Sequence, residues 1–366
     1  MHETDYTKKL IENNACLNEE EYGQGKTFLR SYPQTLFVEM DAPCNQNCIF
    51  CSRPDVYPYF DLDEYKKHFE KLLSPVLLRA RNIMLTGSGE LLTLSEAKRN
   101  LLYFDSYKYA AKMFATNRSS LTPKWIDFLA ERESFYTIHV SLHSTNSEIH
   151  RAVTAATTFP AVMHNLGYLK TVKADNCRFN FIFVATRRNI ENLPAFVKFA
   201  KEHGAAAVIV YFYYIYRRDQ VLNSCFFHQE FTNDMLCKAE EIVKGLNAAG
   251  GKRMELCLPP RFGASEYPPG GGCREAWQNF MINAEGAVLS CDVSGDSREN
   301  LKGKKDFMDL WNGEYFRKLR ENLVSGKNNC DRYCFRANPG AVNDLRAHLI
   351  TRGKTEKELE EMMNTR

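Results

Sequence analysis

Several things are missing from this 366-residue chain, and each absence narrows the field. No apolar run approaches the ~18 residues of a membrane span. The N-terminus, Met1-His2-Glu3-Thr4-Asp5, is polar and acidic, so it is neither a secretory signal nor a transit peptide, and a cytoplasmic location is expected. A net charge of +3 gives no electrostatic case for nucleic acid. There is no low-complexity tract, and 44% hydrophobic with 25% charged residues is the composition of a globular protein with room for two domains. The one surplus is cysteine, with twelve. In a reducing compartment that points to metal binding or catalysis rather than disulfides.

Seven of the twelve fall into two spaced sets: Cys44, Cys48 and Cys51, then Cys273, Cys291, Cys330 and Cys334. The others (Cys16, Cys177, Cys225, Cys237, Cys257) are scattered singly, as small buried hydrophobes often are. The first set reads Cys-x3-Cys-x2-Cys, with no His nearby until His68. Structural zinc wants four ligands, so this knot would have to borrow a distant one. An iron–sulfur cluster accepts close thiolates, and three on a four-iron cluster leave one iron open. Three unrelated core cysteines is the plainest alternative.

Along the chain, short β-type runs alternate with helical periodicity. The strand candidates are Thr35–Met40, Asn82–Leu85, Lys112–Thr116, Tyr136–Leu142, Arg178–Val184 and Ala207–Tyr213, expected to be buried on both faces. Between and after them, helices are expected at Leu62–Leu73, Leu94–Asp105, Pro123–Glu131, Phe159–Val172, Leu193–His203 and Phe231–Ala248. Such alternation implies βαβ units and a parallel sheet. Six units suit an open, partial (β/α)6 TIM-like barrel, although a doubly wound sheet would show the same pattern. Residues 1–34, with short helices at Tyr6–Asn14 and Asn18–Tyr22, read as an extension of a barrel at 35–250.

Pro- and Gly-rich punctuation at Cys257-Leu258-Pro259-Pro260 and Pro268-Pro269-Gly270-Gly271-Gly272 marks a boundary. Beyond it, 251–340 reads as a small α+β unit. It holds a hairpin of Gln278–Asn283 and Ala287–Cys291 and an amphipathic helix Asp306–Leu323. Its four cysteines could fully ligate a four-iron cluster or one zinc. The tail, 341–366, reads as a charged helix over Val342–Met363.

The Cys-x3-Cys-x2-Cys knot after a first strand, with Phe50 before the third Cys, resembles the radical S-adenosylmethionine (SAM) superfamily. The resemblance implies the partial barrel, a SAM-binding 4Fe–4S cluster on Cys44, Cys48 and Cys51, and Phe50 beside the adenine. Thr86-Gly87-Ser88-Gly89-Glu90 after strand two is similar to that family's Gly-Gly-Glu-Pro motif, with Ser88 for a Gly and Leu91 for the Pro. By the same resemblance Asn117, Ser141, Thr186 and Asn189, at the ends of strands three to five, are further SAM-contact candidates. Thr116-Asn117-Arg118 resembles Thr-Asn-Gly with Arg in the Gly place. The second cysteine set resembles the auxiliary-cluster domain called SPASM in its long form and twitch in its short one. Cys330-x3-Cys334 departs slightly from a Cys-x2-Cys pair, so Cys257 or substrate could take one ligand position.

The implied activity is reductive cleavage of SAM to a 5′-deoxyadenosyl radical that abstracts hydrogen from a substrate. The auxiliary cluster would accept the remaining electron, and an external donor such as flavodoxin or ferredoxin would supply the first. Only 34 residues precede strand one, where peptide-modifying relatives often carry a leader-binding domain. A small-molecule or carbohydrate-type substrate is therefore expected, ahead of peptide maturation or epimerisation. Arg217, at the end of the aromatic sixth strand, is a candidate for lining the pocket, and Cys225 is the best-placed thiol for hydrogen donation. A non-catalytic iron–sulfur or zinc protein is the rival from another class; no membrane or nucleic-acid partner is expected.

Overall fold

The computed structural model describes residues 3–53, 58–266, 273–289, 291, 299–326, 333–335, 337–350 and 354–364. Six strands follow the expected ones to within one residue at each end: β1 (Thr35–Glu39), β2 (Asn82–Thr86), β3 (Ala111–Thr116), β4 (Tyr136–Ser141), β5 (Cys177–Ala185) and β6 (Ala207–Phe212). Three more join them: β7 (Glu255–Cys257), β8 (Asn279–Ile282) and β9 (Val288–Leu289). Together they form one sheet in the order β7-β6-β5-β4-β3-β2-β1-β8-β9. Every pairing is parallel except the terminal β8–β9 hairpin. The expected hairpin is β8 with β9, and it and the unexpected β7 dock on opposite edges of the six-stranded sheet.

The strands are not buried on both faces throughout, as their apolar runs suggested. In β1 to β4 burial alternates residue by residue. Leu36, Val38, Ile83, Leu85, Phe114, Ile138 and Val140 pack into the main core with Leu101, Ile126 and Val162 of the covering helices. The other face is open, as expected where a partial barrel keeps a concave lumen rather than a filled interior. The register stacks that face in rows. Met281, Phe37, Met84, Met113, Thr137 and Arg178 are successive neighbours in one. Two residues nearer the carboxyl ends, Glu39 pairs with Thr86, and Ala115, His139 and Asn180 run side by side.

The N-terminal segment is one helix, Glu3–Gly23, rather than two short ones. Ala15, Cys16 and Leu17 carry the helix across the expected break, and nothing there forces a turn. Its buried face binds the C-terminal part of the chain through Asn18 Nδ2, which donates to the Trp277 carbonyl at 2.7 Å, and the segment that follows it through Glu21, which accepts from the Ser31 hydroxyl at 2.7 Å. The expected helix over Asp306–Leu323 is divided into Phe307–Trp311 and Glu314–Ser325. Asn312, at the break, turns its side chain to the Leu29 backbone, accepting at 2.7 Å and donating at 2.8 Å. The tail also differs from expectation, since only Glu356–Met363 is α-helical there. Upstream, Ile215 N–H donates to the His348 carbonyl at 2.7 Å and Ile350 N–H to the Ile215 carbonyl at 3.0 Å, which holds the chain extended. No helix among the described residues is long and apolar enough to cross a membrane.

Candidate metal centre

The knot leaves β1 at its carboxyl end, where parallel α/β folds place their chemistry. It is fastened by backbone: Asn47 N–H donates to the Thr154 carbonyl and Ile49 N–H to that of Val153, both at 2.9 Å, against the end of helix Ser147–Thr154. Cys44, Cys48 and Cys51 are all half-buried. Burial, reinforced by the neighbouring Cys51 and Cys44, pushes the Cys48 thiol up to about 12. Burial also pushes the Cys44 thiol up, and a cation beside these two thiols would favour their thiolates. Among the described residues no three His, Cys, Asp or Glu side chains already stand at single-ion spacing.

Residues Gly87 to Glu90 lie against the knot's leading segment. A Cβ on Gly87 would stand 2.8 Å from Asp41 Oδ1 and Met40 N, and one on Gly89 (φ +99°) 1.8 Å from the Ala42 carbonyl oxygen. Only glycine permits that approach. Ser88 N–H donates to Asp41 Oδ1 at 2.6 Å, and Ala42 N–H to the Ser88 carbonyl at 2.8 Å. Glu90 turns inward, 1% exposed, and its oxygens accept from the Thr116 hydroxyl at 2.7 Å and the Asn117 N–H at 2.6 Å. Burial outweighs these donors and lifts its carboxyl to about 7. This carboxyl group braces the loop after β2 against the end of β3.

The other sequence candidates divide between the rim and the wall. Asn117 is bound to Asn45 at 2.8 Å, tying the knot to the end of β3. Ser141 ends β4 on the open face, one strand position along from His139 and paired with Ile182. Thr186 and Asn189 are fully enclosed. The Asn189 amide is spent on Thr186, His143 and Val184, so both residues shape the loop after β5. The Phe50 ring stands edge-on to His143 at 4.9 Å and tilted to Tyr213 at 6.3 Å. Arg217 is exposed and donates to the Cys51 carbonyl at 3.1 Å, which brings it to the knot. Cys225 is 2% exposed in the main core, its thiol pushed up to about 12 by burial. That is the environment of a small hydrophobe, not of a hydrogen donor facing the lumen.

Sequence reasoning missed Asp41, Asn45 and Gln220, the last donating to the Cys51 carbonyl at 3.1 Å. Asp41 and Asn45 flank Cys44 in the sequence, so proximity alone was a signal. Gln220 lies far along the chain and had none. It also missed the lumen's polar row, where His139 Nε2 is buried without a hydrogen-bond partner.

Cys273, Cys291 and Cys334 come from separate segments and are half-buried together. The Cys273 thiol is pushed up to about 11, first by burial and then by Glu275, Cys291 and Cys334. Cys330 lies outside the described residues. Cys257 is exposed on β7, at the sheet edge opposite β8 and β9, with Glu255 and Arg178 as its charged neighbours.

Comparison with known proteins agrees with this geometry. Residues 43–200 match the model of the radical SAM superfamily, and residues 273–336 match SPASM, an iron–sulfur cluster-binding domain. An AdoMet-dependent heme synthase from Methanosarcina barkeri is 25% identical over 188 residues, which is 49% of this chain and 50% of that protein. The chain spans about half the length of the curated relative it matches. The fold is similar to that of SuiB from Streptococcus suis bound to SAM, with TM-score 0.62 and 16% identity over 84% of this chain and 72% of that one. SuiB bound to the precursor peptide SuiA gives TM-score 0.60 at 15% identity, covering 84% and 71%. Native anSMEcpe with bound AdoMet gives TM-score 0.60 at 16% identity, covering 83% and 91%.

Proposed function

Because the chain carries a radical SAM superfamily domain followed by a SPASM-type iron–sulfur domain, we propose that this enzyme abstracts a hydrogen atom from a small polar organic substrate held in the barrel lumen. The two domains bring with them a SAM-binding 4Fe–4S cluster, an auxiliary cluster and SAM itself. When bound, that set supplies a 5′-deoxyadenosyl radical strong enough to break an unreactive C–H bond. The carrying observation is the convergence of Cys44, Cys48 and Cys51 after β1, on a segment laced by backbone to the Gly87–Glu90 loop.

In this reading Cys44, Cys48 and Cys51 hold the first cluster, and Cys273, Cys291, Cys330 and Cys334 the auxiliary one. The exposed backbone of Gly87 and Gly89, with Ser88, receives the methionyl end of SAM. Ser141 and Phe50 flank its nucleoside, while Asn117 and the buried Glu90 hold the rim in shape. Arg217 and Gln220 fix the Cys51 carbonyl and so orient the third ligand. A cluster held by Cys273, Cys291, Cys330 and Cys334 would supply an acceptor for the electron left on the substrate, which would make the net reaction an oxidation, and a flavodoxin or ferredoxin would supply the priming electron.

A small polar substrate is favoured by the lumen itself, where Glu39, Thr86, His139 and Asn180 lie above a layer of Met84, Met113 and Met281. Peptide modification is the second reading, and it draws on the fold likeness to a protein solved with its precursor peptide. The direct test is anaerobic incubation of the reconstituted enzyme with SAM and a reductant. Formation of 5′-deoxyadenosine is expected; iron-loaded protein that never forms it would be an electron carrier instead. Deuterium from solvent in the product would indicate epimerisation rather than oxidation.

A further inference from the structure

Arg118 breaks two local rules at once. Its φ of 66° lies in the left-handed region that favours glycine, and its side chain is 0% exposed. A charge buried so completely is ordinarily paired. Here, among the described residues, no carboxylate pairs with the guanidinium. Nη2 donates to the Asn165 carbonyl at 3.3 Å, while Nε and Nη1 have no hydrogen-bond partner. The Phe179 ring lies 5.4 Å away, a partial compensation. Glycine would avoid the strain and the buried charge together, so a partner for the guanidinium is the natural explanation for arginine here.

Phe179 is also the wall of a cleft of about 300 Å³ on the outer, helix-covered side of the barrel. Leu169, Val172 and Phe179 give it an apolar flank, and Lys170, His203 and Glu202 stand around it. Arg118 and Lys170 both act electrostatically on His203. Two cations, Lys170 and Arg118, thus stand near His203 against one carboxylate, Glu202, among the residues lining the cleft. Cys177, at the start of β5, also lines it, which sets the cleft at the sheet's amino end, opposite the thiol knot.

We propose that this cleft is a binding site for a small organic anion, a carboxylate or a phosphate ester, that pairs with Arg118. Its charged end meets the open Nε and Nη1 donors when the Phe179 ring, 9% exposed, turns aside. Lys170 holds the same charge from the rim, and the apolar body lies along Leu169 and Val172. The site is independent of the catalytic reading, because it shares no residue with the lumen.

The test is calorimetric titration of the full, cluster-loaded chain with benzoate and with inorganic phosphate, in chloride buffer. Saturable binding is expected, weakened at least tenfold in Arg118→Met and about threefold in Lys170→Met. Methionine matches the length and apolar stem of the buried side chain; the exposed Lys170 variant keeps the question open to measurement should Arg118→Met fail to fold. Tighter binding of benzoate would assign the site to carboxylates, and tighter binding of phosphate to phosphate esters. Equal affinity in wild type and both variants, or no saturation with either probe, would overturn the proposal. So would a crystal soaked in selenate that shows only a water on Nε and Nη1.

Discussion

The two cysteine groups reach their places by opposite routes. Cys44, Cys48 and Cys51 lie within eight residues on one loop, and their setting is built from backbone bonds to neighbouring loops and the end of one helix. Cys273, Cys291 and Cys334 come from segments far apart in the chain. They are gathered only because β8 docks on β1 and the N-terminal segment clasps Trp277, Asn312 and Arg320. The first site takes its thiols from one octet, although its setting draws on Thr154, Arg217 and Gln220. The second is the product of long-range contacts, so it depends on more of the fold and should fail more easily.

The largest predicted effect separates the sites directly. Cys48→Ala should remove about four irons per chain and all 5′-deoxyadenosine formation, with the far-ultraviolet circular dichroism unchanged. Cys273→Ala should also remove about four irons yet leave SAM cleavage measurable, while lowering the melting temperature more than Cys48→Ala does. Equal thermal losses in the two variants would erase the contrast. Next in size is Gly89→Ala. Its new methyl would collide with the Ala42 carbonyl from a left-handed backbone, so a loss of roughly 3–5 kcal/mol is expected in denaturant unfolding.

What was legible beforehand follows the same division. The six central strands and the first knot were readable because their signals are local: short β-rich runs, and three cysteines in one octet. The division of the Asp306–Leu323 helix was not, because Asn312 breaks it to satisfy Leu29, 283 residues away. The edge strand β7 and the extended tail at Leu349 likewise form only against partners distant in sequence. The motif ending in Glu90 was legible, but the burial of Glu90 depends on the end of β3, which the motif does not contain.

Glu90 also sets a pH dependence within the first region. Its carboxyl is lifted from 4.5 to about 7 in the folded chain, so the neutral form is the one that folding favours. The associated stability is fully present below pH 4.5 and is lost as pH rises through 7. Melting curves across this range should fall more steeply for wild type than for Glu90→Gln, by roughly 2–4 kcal/mol over the whole interval. Parallel curves would remove Glu90 from the account. The smallest effect belongs to the second region. Asn312→Ala strands the Leu29 backbone groups and should cost about 2 kcal/mol. Hydrogen exchange should then open the C-terminal helices first and leave β1 to β6 protected.

The central claim is that two separate clusters serve one radical reaction, and counting metal on the anaerobically reconstituted chain tests it most directly. About seven to eight irons and a matching number of sulfides, dropping by half when either cysteine group is replaced, is the predicted result. A colourless protein holding zinc, or about four irons unaffected by replacing Cys273, Cys291 and Cys334, would contradict it.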